Sequence, residues 1–240
     1  MRAADFSLWV YLAERPLTWL TLTLAGYALA DALAARAGRH PLANPVLIAA
    51  GLIGAVLMAT GTPYAVYFDG AQFVHFLLGP ATVALAVPLY HHRAEVRRAF
   101  LPMTAALIAG SVVTMASAVA VLAAFGVPKA VVASMAPKAV TAAIAMAVSG
   151  SLGGDAALTA VLVILTGIFG AIFALPLLAW LNIGDERARG FATGLAAHGI
   201  GTARAFQSNA LAGTFAAIAM ALNAIVTALA APLLFRLVGW

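Results

Sequence analysis

Apolar residues run through this chain in long blocks separated by short polar punctuation. No charged residue occurs in 16–30, 41–68, 70–90, 99–128, 139–154, 156–184 or 205–235. A helix needs about 20 apolar residues to cross a bilayer, and several blocks exceed that. The short alternating strands, about 10 residues each, that mark a membrane β-barrel are not found. The blocks predict helices at about 16–36, 42–61, 71–91, 99–125, 155–181, 187–208 and 211–236. The expected fold is therefore all-α, a polytopic transmembrane helical bundle in one integral domain over 1–240.

The segment 127–154 breaks this rhythm, because it holds two short apolar pieces, each opened by a Pro-Lys pair. Proline suits the first turn of a helix, so each pair predicts the start of a short half-helix, at Pro128-Lys129 and at Pro137-Lys138. Cation placement bears on whether the segment crosses. Arg36 and Arg39 follow the first helix, "HHRAEVRR" (91–98) follows the third, and "DERAR" (185–189) precedes 187–208. All three clusters share one side only if 127–154 dips in and returns, so the positive-inside rule favours a re-entrant segment. Arg2 and Arg15 then fall on the other side. With that topology the triplets 42–125 and 155–236 run in opposite senses, as in an inverted repeat. The middle member of each is interrupted, by Gly79-Pro80 ahead of Thr82 and by Gly199 and Gly201. Breaks at matching places in two halves point to a midplane site. A rival self-match pairs 82–90 with 141–149.

Composition agrees with the pattern. Hydrophobic residues make up 64% and charged residues 9%, and soluble domains carry about 25% charged. The net charge of +5 sits mostly between apolar blocks, which argues for a membrane orientation signal and against a nucleic-acid partner. There is no cysteine, which excludes disulfides, thiol nucleophiles and cysteine metal sites. The first fifteen residues mix both charges with aromatics and read as an amphipathic lead-in. HExxH, Walker A, Rossmann and GxSxG patterns are absent from suitable settings, and adjacent His91 and His92 cannot share a helical face. The expectation is a non-enzyme without metal or cofactor.

Few residues could carry chemistry within the apolar blocks. Arg204 is the most expensive, since an arginine at mid-membrane costs about 2.5–3.5 kcal/mol or more. It either snorkels or pairs with carbonyls, or its planar fork binds a carboxylate. Lys138 either snorkels from a half-helix end or adds a full charge at a helix N-terminus, with Thr141 one turn on. His198 either donates to a carbonyl as a satisfied buried ring or relays a proton. Thr202, after Gly199 and Gly201, suits the cap of a new half-helix. Cations without acids inside the blocks predict a small anion as the partner.

Three stretches together carry a resemblance: "GTPYAVYFDGAQFVHFLLGPATVALAVPLY" (61–90), "PKAVTAAIAMAVS" (137–149) and "GLAAHGIGTARA" (194–205). They are similar, in order and from about Asn44 to Phe235, to the LrgB/CidB family of bacterial membrane proteins. The resemblance implies one of two functions. One is holin- or antiholin-like modulation of murein hydrolase export and autolysis, with a small LrgA/CidA-type partner. The other follows the plant plastid-envelope glycolate/glycerate translocator and relatives linked to pyruvate uptake. The buried cations favour the second: a carrier in the bacterial inner membrane, working by alternating access on glycolate, glycerate, lactate or pyruvate. Arg204 and Lys138 would bind the carboxylate. His198 and Thr202 would orient it or handle a proton, Thr141 would meet a substrate hydroxyl, and Pro137, Gly199 and Gly201 would shape the backbone. A homodimer is compatible with this reading. The chain departs from the family pattern at Ala139, Ala142, Ala147 and Ala197, and at Phe206-Gln207, where hydroxyls and acids are usual, and at Ala143, where a proline is usual. Coupling through those glutamates is therefore in doubt here. The LrgA-like region of the plant relatives is not expected in this chain, which makes any such partner a separate protein.

Overall fold

The computed structural model describes residues 15–239, apart from the side chains of His75, Leu78 and Thr82. The lead-in and Arg2 lie outside the described residues. No strand occurs among them, and the chain forms two compact units, up to Ala84 and from Leu85 onward. Five helical stretches are long and apolar enough to cross a membrane: Pro16–Arg36, Tyr64–His91, Phe100–Ala124, Ala156–Trp180 and Ala210–Leu237.

The first unit contains α1 (Pro16–Arg36), α2 (Pro45–Thr60), α3 (Tyr64–Phe76) and α4 (Leu78–Ala84). Asn44 caps α2 by accepting from the Val46 and Leu47 N–H groups. Trp19 is fully buried, edge-on to Tyr67 at 5.9 Å. Gly70 permits that approach, since a Cβ there would stand 2.8 Å from the Trp19 Cβ. The helix expected over 71–91 is in three pieces: α3, α4 and then α5 (Ala86–His91). Pro80 and Pro88 cannot donate to the carbonyls of Phe76 and Ala84, and the helix lapses at Leu77 and Leu85, three residues before each proline. Gly79 and Pro80 thus sit inside α4, after the interruption. The Thr82 side chain is outside the described residues.

The second unit continues with α6 (Arg93–Arg98), α7 (Phe100–Ala124), α8 (Lys129–Met135), α9 (Ala142–Ser151), α10 (Ala156–Trp180), α11 (Glu186–Ser208) and α12 (Ala210–Leu237). α7 and α12 run in the same direction. Going along both, Leu107 meets Phe215 and Ile218, Ser111 meets Asn223, Met115 meets Ala231 and Val119 meets Phe235.

The segment 127–154 turns back to the end where it starts, the path that the flanking arginine clusters favoured. Val127 before α8 and Leu152 after α9 both pack beside Val119 and Phe235, at the end where α7 and α12 finish. The Ser134 hydroxyl accepts from the Asp155 N–H at 2.8 Å, and Thr159 donates to Ser149 at 2.7 Å, which closes the mouth of this hairpin against α10. Its tip, residues 136–141, reaches Thr114, Val163 and Asn223 in the interior.

The second re-entrant element was not expected. A straight helix over 187–208 would hold Gly190 and Ala205 about 22 Å apart, yet both lie against Ala212. α11 is a hairpin. Its first arm runs along α12 in parallel, Gly190 on Ala212 and Gly194 on Ala216. Its second arm returns antiparallel, with Thr202 beside Met220 and Phe206 against Gly213. The fold-back falls at Ala197 (φ −129°, ψ 16°) and His198 (φ 41°, ψ −134°), ahead of the two glycines. Gly201 is needed for a different reason, because a Cβ there would stand 2.8 Å from the Thr193 carbonyl of the opposite arm.

The helical arms are about 10–16 Å long, a third to a half of a hydrocarbon core of about 30 Å, so both tips end inside the core and neither hairpin crosses it. Within this unit a span and a hairpin (α7 with 127–154) are followed by a span and a hairpin of opposite sense (α10 with α11). The opposed pair is thus 100–154 and 156–208, while the expected triplet 42–125 runs across the boundary between the units. Arg93, Arg97, Arg98, Arg187 and Arg189 gather at one end, and Lys129 and Arg236 at the other. The positive-inside rule predicts that the first end faces the cytoplasm.

Asp185 caps α11 at that end, accepting from the Arg187 N–H at 2.8 Å and from its guanidinium at 2.6 Å. The Arg187 guanidinium is the main reason that its carboxyl is held down, to about 2. A depressed carboxyl contributes stability above its unfolded pKa of about 3.9 and loses it as pH falls through the folded value. Asp185→Ala should lower thermal stability at neutral pH by about 1 kcal/mol. The difference from the parent should vanish near pH 2, as measured by paired melts across that range.

Candidate functional site

The two hairpin tips meet beside one buried amide. Asn223, 1% exposed on α12, donates from Nδ2 to the Ala139 carbonyl (3.2 Å) and to the Leu195 carbonyl (3.1 Å). Its Oδ1 accepts from Ser111 on α7 (2.6 Å) and from Thr227 (3.3 Å). Ala139 belongs to the first tip, and Leu195 ends the first arm of the second hairpin. Both carbonyls stand where a helix has stopped and the next turn no longer supplies a donor. On the opposite flank Val163 of α10 also serves both tips. Its side chain packs with Val140 and Ala145, and its carbonyl accepts from His198 Nε2 at 2.9 Å.

Several expected residues converge here. Lys138 lies at the first tip and donates to the Thr114 carbonyl at 3.1 Å. It does not open a helix: Pro137 and Lys138 sit in the linker, and α9 begins at Ala142 with Thr141 as its N-cap. Pro128-Lys129, by contrast, does open α8. The Thr141 hydroxyl makes no capping bond, and Thr202 donates back to the His198 carbonyl at 2.8 Å instead of capping. Two helix N-termini, at Ala142 and after His198, therefore point at the meeting place together with the Lys138 charge. That potential suits an anion.

His198 has a buried ring whose Nε2 is the donor in the bond to the Val163 carbonyl. Its positive φ is unfavourable for a side-chain-bearing residue by roughly 1–3 kcal/mol. The bond to Val163 and the seating of the tip on α10 hold it there. Gly167 makes the room, since a Cβ there would stand 2.6 Å from the imidazole Cε1.

Arg204 is elsewhere. It lies on the second arm, one turn from Ser208, and hydrogen-bonds Gln207 at 3.4 Å. Its neighbour Ala205 packs on Ala212 and Ala216, whereas the α7 turn that holds Lys138 is level with α12 residues about ten positions further on. The two cations differ in depth by about 15 Å. One small carboxylate cannot touch both in this arrangement.

From the basic end a cavity of about 570 Å³ runs between α7 and the first arm. Arg98, Asp185 and Arg187 stand at its rim, Phe191 and Phe215 line it, and Gly110 and Leu195 close its inner end. It stops at the residue whose carbonyl Asn223 holds. Asn223, Ser111 and Val163 were missed in the sequence. An asparagine at mid-length of the charge-free run 205–235, well past the helix-start asparagine Asn209, was the available signal, because an amide in hydrocarbon needs partners.

Comparison with known proteins agrees with this membrane architecture. Residues 23–237 match the LrgB-like family. The chain is 34% identical over 191 residues to YwbG of Bacillus subtilis, covering 80% of this chain and 85% of that protein. It is 32% identical over 198 residues to the holin-like protein CidB of Staphylococcus epidermidis, covering 82% and 86%. A Haemophilus influenzae protein is 31% identical over 217 residues, 90% of this chain and 94% of its own length. No solved structure matches. The chain belongs to the LrgB-like family and is a multi-pass bacterial membrane protein.

Proposed function

We propose that this protein is a carrier for small monocarboxylates of the glycolate, glycerate, lactate or pyruvate type, working by alternating access at the hairpin crossing. The observation that supports it most is the pair of half-membrane hairpins entering from opposite ends and meeting beside Lys138. An aqueous pore has no use for two closed tips, whereas a carrier needs a barrier on each side of its site. Lys138 is the group that takes the carboxylate, releasing the Thr114 carbonyl. Thr141, Thr202 and the backbone beside Pro137, Gly199 and Gly201 line the same place, and His198 stands by as proton handler. Arg204, nearer the cytoplasmic end, draws the anion inward without holding it at the crossing.

Removing a charged hydrogen-bonding partner costs roughly 1.5–3 kcal/mol, which corresponds to about 10- to 150-fold. Lys138→Met should lower the initial rate of radiolabelled glycolate uptake into proteoliposomes by such a factor. Arg204→Ala should cost less, because its role is long-range.

A second reading follows the name of the staphylococcal relatives, holin-like protein CidB. It makes this chain a modulator of membrane permeability acting with an LrgA/CidA-type partner. The same liposomes separate the two. Equal leakage of neutral and charged solutes, unaffected by Lys138→Met, would establish the holin-like reading and end the carrier one.

A further inference from the structure

We infer that Asn223 is a shared latch: its two amide hydrogens each hold one hairpin tip closed, and a substrate carboxylate takes over the hydrogen of whichever tip withdraws. This rests on the carrier reading above. The Nδ2 group has two hydrogens, and both are committed, one to Ala139 of the first tip and one to Leu195 of the second. Oδ1 is fully used by Ser111 and Thr227, so the amide is oriented from outside the hairpins and cannot turn to follow either tip. Ser111 and Asn223 stand on α7 and α12, the two parallel spans.

Withdrawal of either tip would strand an N–H and a carbonyl in a dry interior, which is unfavourable and keeps both tips shut. A carboxylate reaching the freed N–H supplies the missing acceptor and stabilises the open state alone. A ligand shifts an equilibrium only through such differential binding. Lys138, which is next to Ala139 in the chain, brings the charge to the same spot. The cavity from the cytoplasmic end delivers a solute to Leu195, directly behind the second tie.

The chain lacks cysteine, so single reporters are unambiguous. Val140→Cys reports on the first tip, Ile200→Cys, whose side chain packs on Gly167, on the second, and Val119→Cys on a buried contact remote from Asn223. Each is placed in the full chain in proteoliposomes and labelled with an impermeant maleimide from either side. Asn223→Asp keeps the acceptor for Ser111 and loses both donors. It should raise labelling of both tip reporters together, by about tenfold if opening becomes easier by a charged-bond equivalent, and leave Val119→Cys protected. Thr227→Val, which spares both amide hydrogens, should change neither tip by more than about twofold. In protein with Asn223 intact, saturating glycolate should raise both tip reporters in parallel.

The latch is overturned if Asn223→Asp leaves either tip protected, or if glycolate moves one reporter without the other. The glycolate arm decides the matter even should Asn223→Asp unfold and expose Val119→Cys. If Asn223→Asp releases both tips while glycolate affects neither, the latch stands and the carboxylate carrier does not.

Discussion

Gly194→Leu should lower the melting temperature of the detergent-solubilised protein by on the order of 10 °C. A Cβ at Gly194 would overlap the Ala216 carbonyl, and one at Gly190 would overlap that of Ala212. These are backbone atoms of α12 and cannot turn aside, so the first arm of the hairpin must lift off the helix. In lipid no hydrophobic driving force restores such a contact. Helix association there depends on close packing of small residues, as Gly190 and Gly194 pack on Ala212 and Ala216. Overpacking of this kind costs about 1–3 kcal/mol and occasionally more. Leucine adds three further heavy atoms beyond the clash, placing it at the upper end. Gly150→Ala is the control, because nothing lies within 4 Å of a Cβ there. Gly150 lies in the last turn of its helix, so the change should alter stability by less than about 1 kcal/mol. Melts of the two variants within about 2 °C of each other would show that the close approach carries no energy.

Gly170→Ala and Ala197→Gly should each impair the protein and largely rescue one another. The Cβ of Ala197, at the fold-back, occupies the space over Gly170 on α10, and every other neighbour of a Cβ at Gly170 is at 3.4 Å or beyond. Gly170→Ala alone should push the tip away from α10 and strain the His198–Val163 bond. The expected loss is about 2 kcal/mol, a typical overpacking value. Ala197→Gly loosens the fold-back by about 1 kcal/mol through backbone freedom and lost packing. If the two act through one contact, the double variant is better than the sum of the singles by at least about 1 kcal/mol. Glycolate uptake and thermal stability should recover together. Additive losses would mean that the tip does not seat on Gly170.

The membrane spans were legible because charge-free runs of sufficient length have one solution in lipid. The return of 127–154 to its side of origin was legible too, since only that path gathers the arginines at one end. The place of the hairpin turn was not. Gly199 and Gly201 carry the local signal for a break, but they remain helical, and a histidine takes the positive φ. Its ring is tied to Val163, thirty-five positions away. Local propensity cannot anticipate a strained residue whose compensation comes from another helix. Pro137-Lys138 misled for a similar reason: a proline permits a helix start, while the linker here makes successive tight turns, Lys138 N–H to the Met135 carbonyl and Val140 N–H to the Pro137 carbonyl, that leave the Ala139 carbonyl to Asn223.

Residue chemistry was readable along the chain, and depth was not. Arg204 and Lys138 look equivalent as cations within apolar surroundings, and the fold separates them by about 15 Å because α11 doubles back and carries Arg204 toward the basic end. The sequence by itself determined the solvent, the long spans and the presence of interrupted helices, since these depend on burial in hydrocarbon and on where charge can reach water. Which interruption is a turn, which polar side chain the tips share, and which cation lies at the crossing were decided by tertiary contacts. Asn223 acquires meaning only when Ser111, Ala139 and Leu195 arrive around it from three other elements.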